Sequence, residues 1–526
     1  MELKNEVLRR RTFAIISHPD AGKTTLTEKL LLYGGKIHSA GSVKARKTDR
    51  HAVSDWMEIE KQRGISVTSS VMLFDYNGYR INILDTPGHQ DFSEDTYRTL
   101  VAADSAVMLI DAAKGVERQT IKLFQVCRKR NIPIFTFVNK LDRAGKNPFD
   151  LMDEIESVLG IRSVPMNWPI GTDGDFKGVY DRESGRVELF SGGNHGQDKV
   201  ESVTGDALDP AFAELLGDYH HKKLIDEIEL LDVAGDEFDI DKVLSGQLTP
   251  MFFGSAMNNF GVQPFLEKFL TLTTPPAARE ADIGLIEPDS NDFTGFIFKI
   301  QANMNPAHRD RIAFMRICSG KFEKGMTVKL ARDNKEIKLA QPQQFMAQER
   351  ETVEEAFAGD IIGLFDPGVF ALGDTLYQGK RAQYAGIPVF APEHFARIKP
   401  VDTMKRKQFL KGITQLAQEG AIQVFKDNTY AAEEIIVGVV GVLQFEVLEH
   451  RLRTEYNVEV ASTQLAFRFI RWLPEDCQPD KLKFSSSTRV GTDLKDRPVV
   501  LFENEWSMRW ALENNKGLEL SDIAER

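Results

Sequence analysis

Residues 17–24, SHPDAGKT, decide the fold of the N-terminal part of this chain. The apolar run FAII at 13–16 precedes them, and a segment in which Leu26, Leu30 and Tyr33 share one helical face follows them. A buried strand, a tight loop and a helix therefore succeed one another. This order is the context that a phosphate-binding loop requires, because the loop amides and the helix start then face the same anion.

The loop also carries side chains that suit a nucleoside triphosphate. Lys23 adds a positive charge at the β and γ oxygens, and the Thr24 hydroxyl can ligate Mg²⁺. Ser17 stands where the usual motif has Gly, so the first turn must be one that a residue with a Cβ can adopt. An ordinary strand-to-helix turn is the alternative interpretation of this stretch taken by itself.

Length and composition limit the classes of protein to which this chain can belong. At 526 residues the chain is too long for one core, and about 150 residues per domain predicts three or four domains. The N-terminus is polar and no run of about 18 apolar residues occurs, so we expect a cytoplasmic protein without a membrane span. Cys127, Cys318 and Cys477 are scattered, which favours reduced, structural thiols. The formal charge of −12 argues against wholesale coating of nucleic acid.

A second motif follows a predicted strand pair. Residues 36–65 are charged and aperiodic, which predicts a long surface loop with a short helix around 56–59, and strands at 67–74 and 79–84 flank the turn Asn77-Gly78. The second strand leads into DTPGH at 85–89. At the end of that strand Asp85 can hold a metal, directly or through water, and Gly88 lets a backbone N–H approach the γ-phosphate. A plain turn is the alternative.

The third motif, NKLD at 139–142, indicates which base is bound. It follows a buried strand at 133–138, after a strand at 106–110 and a helix at 117–130. The Asp142 carboxylate can accept two parallel N–H bonds from the N1 and N2 edge of guanine, each worth about 1.5–3 kcal/mol, and adenine offers no such edge. Asn139 suits bracing the loop, and the stem of Lys140 can lie over the ring.

The strand at 248–253 delivers the fourth motif, Gly254-Ser255-Ala256. Backbone amides at Ser255 and Ala256 can close the pocket over the base oxygen. Three strand ends of one open sheet thus carry phosphate, metal and base functions in order, which chance motif matches rarely produce. The combination predicts a guanine nucleotide site.

The set SHPDAGKT, RGIS, DTPGH, NKLD and GSA resembles the translational GTPases, and DTPGH with the long RGIS loop is similar to their ribosome-dependent branch. The span between Asp142 and Ser255 looks like the extra subdomain of elongation factor G. Short alternating segments from Phe293 onward resemble the second domain of that group, and the α+β pattern near 391–460 resembles the third. The chain has no room for the two further domains of elongation factor G. The match is closest to the class II peptide-chain release factors, including Ser17 in the loop.

We therefore expect a multidomain α/β protein. A P-loop GTPase domain covers residues 1–277, with an insertion at about 162–247, and Pro275-Pro276 closes it. An antiparallel β-barrel follows at 278–390. An α+β domain covers 391–526.

The resemblance implies a GTPase that is slow alone and fast on the ribosome, with GTP/GDP and Mg²⁺ as ligands. The metal ligands implied are Thr24, Asp85 and Ser66, with Thr68 as the alternative to Ser66. His89, by its position after DTPG, is implied to orient the attacking water. The loop amides implied to hold the phosphates are those of Asp20, Ala21, Gly22, Lys23, Thr24 and Thr25.

The resemblance also implies partners. These are the ribosome, through large-subunit RNA and ribosomal proteins, and functionally the class I release factors, which a monomer of this kind would help to dissociate after peptide release. The loop at 36–65 would order around GTP and relax after hydrolysis. Another ribosome-associated GTPase, acting in assembly or translocation, and a nucleotide-gated binding protein with incidental hydrolysis are the alternatives.

Overall fold

The structure is a computed structural model, and it describes residues 2–37, 60, 66–171, 174–191, 201–207, 209–302, 311–340, 342–346, 349–387, 389–427, 434–474 and 477–521. Most of the loop predicted at 36–65, including the short helix around 56–59, lies outside the described residues.

A mixed sheet forms the core of the N-terminal unit. Its strands are β1 (Arg10–Ser17), β2 (Ser70–Tyr76), β3 (Tyr79–Asp85), β4 (Ser105–Asp111), β5 (Ile134–Asn139), β6 (Arg162–Pro165) and, after the insertion, β11 (Leu248–Phe253). They run in the order β2-β3-β1-β4-β5-β11-β6. All neighbours are parallel except β2 and β3, which form the hairpin predicted at Asn77-Gly78.

Helices cover both faces of this sheet because its strands are apolar on both sides. The helices of this unit are α1 (Glu2–Leu8), α2 (Lys23–Tyr33), α3 (Ser93–Val101), α4 (Arg118–Lys129), α5 (Pro148–Leu159) and, later in the chain, α9 (Val262–Leu272). Phe13 and Ile15 of β1 pack into one cluster with Leu26 of α2, and Ala14 and Ile16 pack into the cluster on the other face. The phosphate loop therefore starts from a strand that is buried on both sides.

The insertion forms its own antiparallel sheet of β7 (Asn167–Ile170), β8 (Gly178–Asp181), β9 (Arg186–Ser191) and β10 (Glu201–Asp206). Three helices follow, α6 (Pro210–Leu216), α7 (Asp218–Ala234) and α8 (Ile240–Leu244). Strand β6 falls inside the span predicted for the insertion but pairs parallel with β11 at the edge of the main sheet. The separate sheet thus begins at Asn167.

The middle of the chain is antiparallel, as the alternating pattern predicted. After the hairpin β12 (Arg279–Ala281) and β13 (Gly284–Ile286) come β14 (Phe293–Ala302), β15 (Arg311–Ser319), β16 (Lys321–Glu323), β17 (Thr327–Leu330), β18 (Glu336–Lys338), β19 (Pro342–Met346), β20 (Glu349–Thr352), β21 (Glu355–Phe357), β22 (Ile361–Phe365) and β23 (Thr375–Gln378). The order is β18-β17-β23-β14-β15-β22-β19, with β20 on β19 and β16 on β21. Phe293, Ile297 and Met315 lie in the apolar interior that this sheet encloses.

The last unit is a single antiparallel sheet with helices. It contains β24 (His394–Pro400), α10 (Arg406–Gln418), β25 (Gln423–Asp427), β26 (Glu434–Val439), α11 (Leu443–Tyr456), β27 (Val460–Leu465), β28 (Phe469–Trp472), β29 (Arg489–Asp493), β30 (Pro498–Phe502) and α12 (Glu505–Asn514). The strand order is β27-β24-β26-β25-β29-β30-β28. Helices α10 and α11 pack on it through Phe409, Ile413, Phe445, Leu448 and Leu452. The predicted multidomain α/β architecture is thereby confirmed.

Among the helices of the described residues, none combines the length and the apolar character that crossing a bilayer requires.

Candidate nucleotide site

The backbone of the phosphate loop explains how Ser17 replaces glycine. Ser17 is the last residue of β1 and its φ is not positive. The left-handed conformations lie further along, at Asp20 with φ 66° and Gly22 with φ 99°. Asp tolerates this region and Gly occupies it at little steric cost. The residues that need conformational freedom are therefore Asp20 and Gly22, and Ser17 at the first position of the motif does not need it.

Asn139 joins the phosphate loop to the base-binding segment. Its Nδ2 donates to the carbonyl oxygen of Ala21 at 2.9 Å, and its Oδ1 accepts from the backbone N–H of Ala256 at 2.8 Å. A Cβ at Gly22 would lie 2.3 Å from the same Nδ2. The first and last motifs are thus held together by one buried amide at the end of β5.

Lys140 adopts a left-handed backbone, with φ 71°, and its ammonium reaches back over the loop. Its Nζ donates to the Asp20 carbonyl oxygen and, at 2.7 Å, to Oδ2 of Asp111. Burial works to raise the pKa of Asp111, but the Lys140 bond and backbone N–H groups at 113 and 114 outweigh it, so the pKa lies below its usual value. Asp111 ends β4 just as Asp85 ends β3, but it was not among the residues predicted from the sequence.

Asp142 and Ser255, which follow β5 and β11, are in direct contact. Ser255 Oγ donates to Oδ1 of Asp142 at 2.5 Å, and Nε of Arg143 lies 3.5 Å from Oδ2. The N–H of Leu141 donates to the carbonyl oxygen of Gly254 at 3.3 Å. The hydroxyl therefore fixes the carboxylate plane that would face a base edge.

The DTPGH turn at 85–89 lies directly beside the phosphate loop. Lys23 Nζ forms a buried ion pair with Oδ1 of Asp85, and their side chains are 6% and 3% exposed. A Cβ at Gly88 would lie 3.5 Å from the Pro19 backbone, and Thr86 Oγ1 donates to the Ile15 carbonyl oxygen at 2.7 Å. This turn is thus packed against the loop that precedes α2.

The donor chemistry here fits Mg²⁺. Thr24 and Thr25 are half-buried at the start of α2, so the hydroxyl of Thr24 and the carboxylate of Asp85 offer hard oxygen ligands beside the loop. Mg²⁺ takes one or two protein ligands of this kind and completes its shell with water and phosphate oxygens. No group of three or more His, Cys, Asp or Glu side chains in the described part of the chain could hold a metal by itself.

The segment that carries Ser66 is tied down by residues outside the predicted set. The Glu60 carboxylate accepts from the N–H groups of Val67 and Thr68 at 2.9 and 3.2 Å. Lys299, on β14, donates to Thr68 Oγ1 at 2.5 Å and to the Ser69 carbonyl oxygen. Burial lowers the pKa of Lys299, and Asp95 opposes this. Neither Glu60 nor Lys299 stands in a recognisable motif, so no sequence signal pointed to them.

His89 begins a short 3₁₀ turn, Gln90–Phe92, that precedes α3. Its Nδ1 accepts from the backbone N–H of Asp91 at 3.2 Å, and Oδ1 of Asp91 lies 3.3 Å from the same nitrogen. The ring is 30% exposed. His89 thus follows directly on Gly88, whose backbone packs against Pro19 of the phosphate loop, and one of its ring nitrogens is occupied by its own turn.

Comparison with known families divides the chain into three matched regions. Residues 8–275 match the elongation factor Tu GTP binding domain, residues 292–379 match elongation factor G domain 2, and residues 384–512 match the class II release factor RF3, C-terminal domain. The first match alone covers more than half of the chain, which makes this protein a GTPase with a guanine nucleotide site.

Curated relatives match over nearly the whole length. Peptide chain release factor 3 of Symbiobacterium thermophilum is 61% identical over 98% of both chains, and that of Listeria monocytogenes serotype 4b is 55% identical over 99% of both. A crystal structure of a Thermus thermophilus protein matches with a TM-score of 0.69 at 21% identity, over 93% of this chain and 72% of that one, which supports the fold alone. Because relatives more than half identical span almost every residue, this chain belongs to the peptide chain release factor 3 family.

Proposed function

We propose that this chain hydrolyses GTP during translation termination and, stimulated by the ribosome, promotes dissociation of class I release factors after peptide release. The proposal rests on the family to which the chain belongs and on the chemistry of the nucleotide site. The class I release factors are functional partners, and the chain acts as a monomer that contacts the large-subunit RNA and proteins.

The observation that carries the proposal is the bridge made by Asn139. One amide links Ala21 in the phosphate loop with Ala256 in the base segment. Ser255 donates to Oδ1 of Asp142, and this bond would orient the carboxylate toward the two N–H groups of guanine. A site that couples phosphate and guanine recognition in this way suits a nucleotide switch.

The phosphates would be held by the backbone amides of 20–25 and by Lys23, which would leave Asp85 for the γ-phosphate side. Thr24, Asp85 and Ser66 would hold Mg²⁺. When bound, this ion would neutralise charge that develops on the transferring phosphoryl group. Thr68 Oγ1 already accepts from Lys299, which supports Ser66 as the ligand from the RGIS segment.

His89 would orient the attacking water. The motifs supply no arginine finger, so the remaining activation would come in trans from the ribosome, and groups added in this way are worth about 10³ to 10⁵ in rate.

The three units proposed are a GTPase domain at 1–277 with its insertion at about 162–247, a barrel at 278–390 and an α+β domain at 391–526.

The His89→Ala variant tests the assignment. We expect GTP and GDP affinities within about twofold of the parent and loss of ribosome-stimulated turnover, because only the water is affected. His394→Ala, at an exposed histidine of the last domain, is the control and should keep full stimulation. Stimulated turnover that survives in His89→Ala would reject the role.

A second assay tests the termination step. Dissociation of a class I release factor from a termination complex is followed with GTP and with a non-hydrolysable analogue. Faster dissociation with this chain supports the proposal, whereas stimulated hydrolysis without dissociation supports another ribosome-associated GTPase. The relatives, all named as release factors over nearly their full length, do not favour that alternative.

A further inference from the structure

The turn that carries His89 is also a docking point for the last domain. The backbone N–H of Leu443, at the start of α11, donates to Oδ2 of Asp91 at 2.8 Å. Phe92 packs with Val67 against Leu443 and Val447. A polar bond and an apolar contact therefore join the same short turn to the same helix start.

Gly441 shows how closely the two domains approach there. A Cβ on Gly441 would lie 2.2 to 2.4 Å from three atoms of Asp91, which is inside the closest approach that carbon atoms tolerate. The backbone of Gly441 is not in the left-handed region. Alanine is therefore compatible with the local chain, and the collision with Asp91 would be its main new effect.

Asp91 also contacts the imidazole ring of His89. Its backbone N–H donates to His89 Nδ1 at 3.2 Å while its carboxylate is held by Leu443. Asp91 thus holds the Nδ1 edge of the ring through its backbone N–H and, at 3.3 Å, through Oδ1, and these contacts restrict rotation of the imidazole.

We propose that Asp91 is a positioning residue through which the last domain sets the orientation of His89. The segment Gly441 to Leu443 holds Asp91, and Asp91 holds the ring, so a displacement of α11 changes the order of the ring before any contact with the nucleotide changes. The inference deepens the proposed function, because it rests on the role of His89 in orienting water.

The first experiment needs no ribosome. Diethyl pyrocarbonate modifies a ring nitrogen of histidine, and here the Nδ1 edge of the ring is covered by Asp91. We expect Asp91→Ala and Gly441→Ala to raise the modification rate of His89, measured by peptide mass spectrometry with His394 as the internal reference. An unchanged rate in both variants would overturn the proposal. Because two variants approach the contact from different domains, failure of one to fold does not prevent the test.

The second experiment measures turnover with ribosomes. Both variants should lower the stimulated kcat about tenfold with GTP and GDP affinities nearly unchanged, because the ring must be ordered anew in each cycle. The stimulated kcat of the double variant should be no lower than that of either single variant, since both substitutions break the same contact between Asp91 and the segment Gly441 to Leu443. Asp91→Asn should retain most of the activity, because the amide oxygen still accepts from Leu443 and the backbone N–H remains.

Asp402→Ala is the matched control. Asp402 also caps a short 3₁₀ turn in the last domain, through the Met404 N–H at 2.9 Å, but it does not contact the GTPase domain in the described structure. Additive effects of Asp91→Ala and Gly441→Ala on the stimulated kcat would reject the inference. GTP and GDP affinities that fall together with thermal stability would also reject it, because they would indicate a merely structural role. If the parent itself is not stimulated by ribosomes, the proposed function fails, while the modification rates still decide the link between Asp91 and His89.

Discussion

At the scale of single residues, the candidate site depends on a few polar atoms that end neighbouring strands. Asn139, Lys140 and Asp142 each contact a different part of the site, namely the phosphate loop, Asp111 and Ser255. Because these contacts are short and their partners are largely buried, each atom has few alternative partners. Substitutions here should therefore change recognition before they change folding.

Asp142→Asn should move base preference from guanine to xanthine. An amide presents one acceptor and one donor, so it loses one charge-assisted bond to guanine, which weakens GTP binding about 10- to 100-fold. Ser255 can still donate to the remaining oxygen, so the loop should keep its shape. Competition binding with GTP and XTP measures the change. Undiminished preference for GTP would contradict the assignment.

Gly22→Ala should weaken GTP and GDP equally, by about tenfold or more, because the new Cβ combines backbone strain with displacement of Asn139. The Cβ would lie 2.3 Å from Nδ2, at a φ of 99°. Gly35→Ala is the control, since its φ of 69° brings similar strain but no atom lies within 4 Å. Calorimetric titration with both nucleotides separates the two variants. Equal losses of nucleotide affinity in Gly22→Ala and Gly35→Ala would mean that backbone strain alone is responsible.

At the scale of elements, the site is supported by an aromatic layer under the base-binding strands. Phe265 on α9 is fully buried, and its ring centroid lies 4.9 Å from Phe137 of β5 and 5.0 Å from Phe252 of β11. These two strands deliver the NKLD and GSA motifs. The packing of α9 thus holds the two halves of the base pocket in register.

Phe265→Ala should destabilise the GTPase domain by about 3–5 kcal/mol, because a large cavity remains between α9 and the sheet. The thermal unfolding transition that shifts with added GDP reports this domain. Thr271→Ala, an exposed position of the same helix, should leave that transition nearly unchanged. A small effect of Phe265→Ala would mean that the neighbouring rings close the cavity.

At the scale of the whole molecule, buried charges join the domains. Arg316 of β15 donates to Oδ2 of Asp104 at 2.5 Å, with both side chains almost fully buried, and Arg10 Nε donates to Asp360 at 2.8 Å. A further link is the pairing of β19 with β2 at Met346 and Met72. The GTPase domain and the barrel therefore share a sheet and an ion-paired interface, while the last domain contacts the turn after His89.

Arg316→Met should uncouple the barrel from the GTPase domain at a cost of about 3–5 kcal/mol, because Asp104 would lose its buried partner. Arg279, 3.6 Å from the other oxygen of Asp104, would offset part of this loss. Arg332→Met is the matched control in the same domain, since Arg332 is half exposed where it pairs with Asp374 and such a pair contributes about 0–1 kcal/mol. Calorimetry should resolve separate transitions only for Arg316→Met. A single unshifted transition would contradict the prediction.

The sequence by itself determined the motifs, their order and the fold class. Residues 17–24, Asp85, NKLD and GSA each follow a strand within a few positions, and parallel strands bring their carboxyl ends to one edge, so local pattern was sufficient. It also predicted the antiparallel second domain from period-two segments. The prediction that Asp142 recognises guanine likewise rests on side-chain type alone.

Only the tertiary structure decided which residues hold this site in place. Asp91 and Leu443 are 352 positions apart, Thr68 and Lys299 are 231 apart, and Arg316 and Asp104 are 212 apart. Local patterns cannot predict such contacts, because they depend on how separate cores pack against one another. The structure likewise paired Lys140 with Asp111, where the sequence suggested only that its stem could cover the base. The chemistry predicted for the site is thus encoded locally, and the contacts that hold it in place are encoded in the packing of the domains.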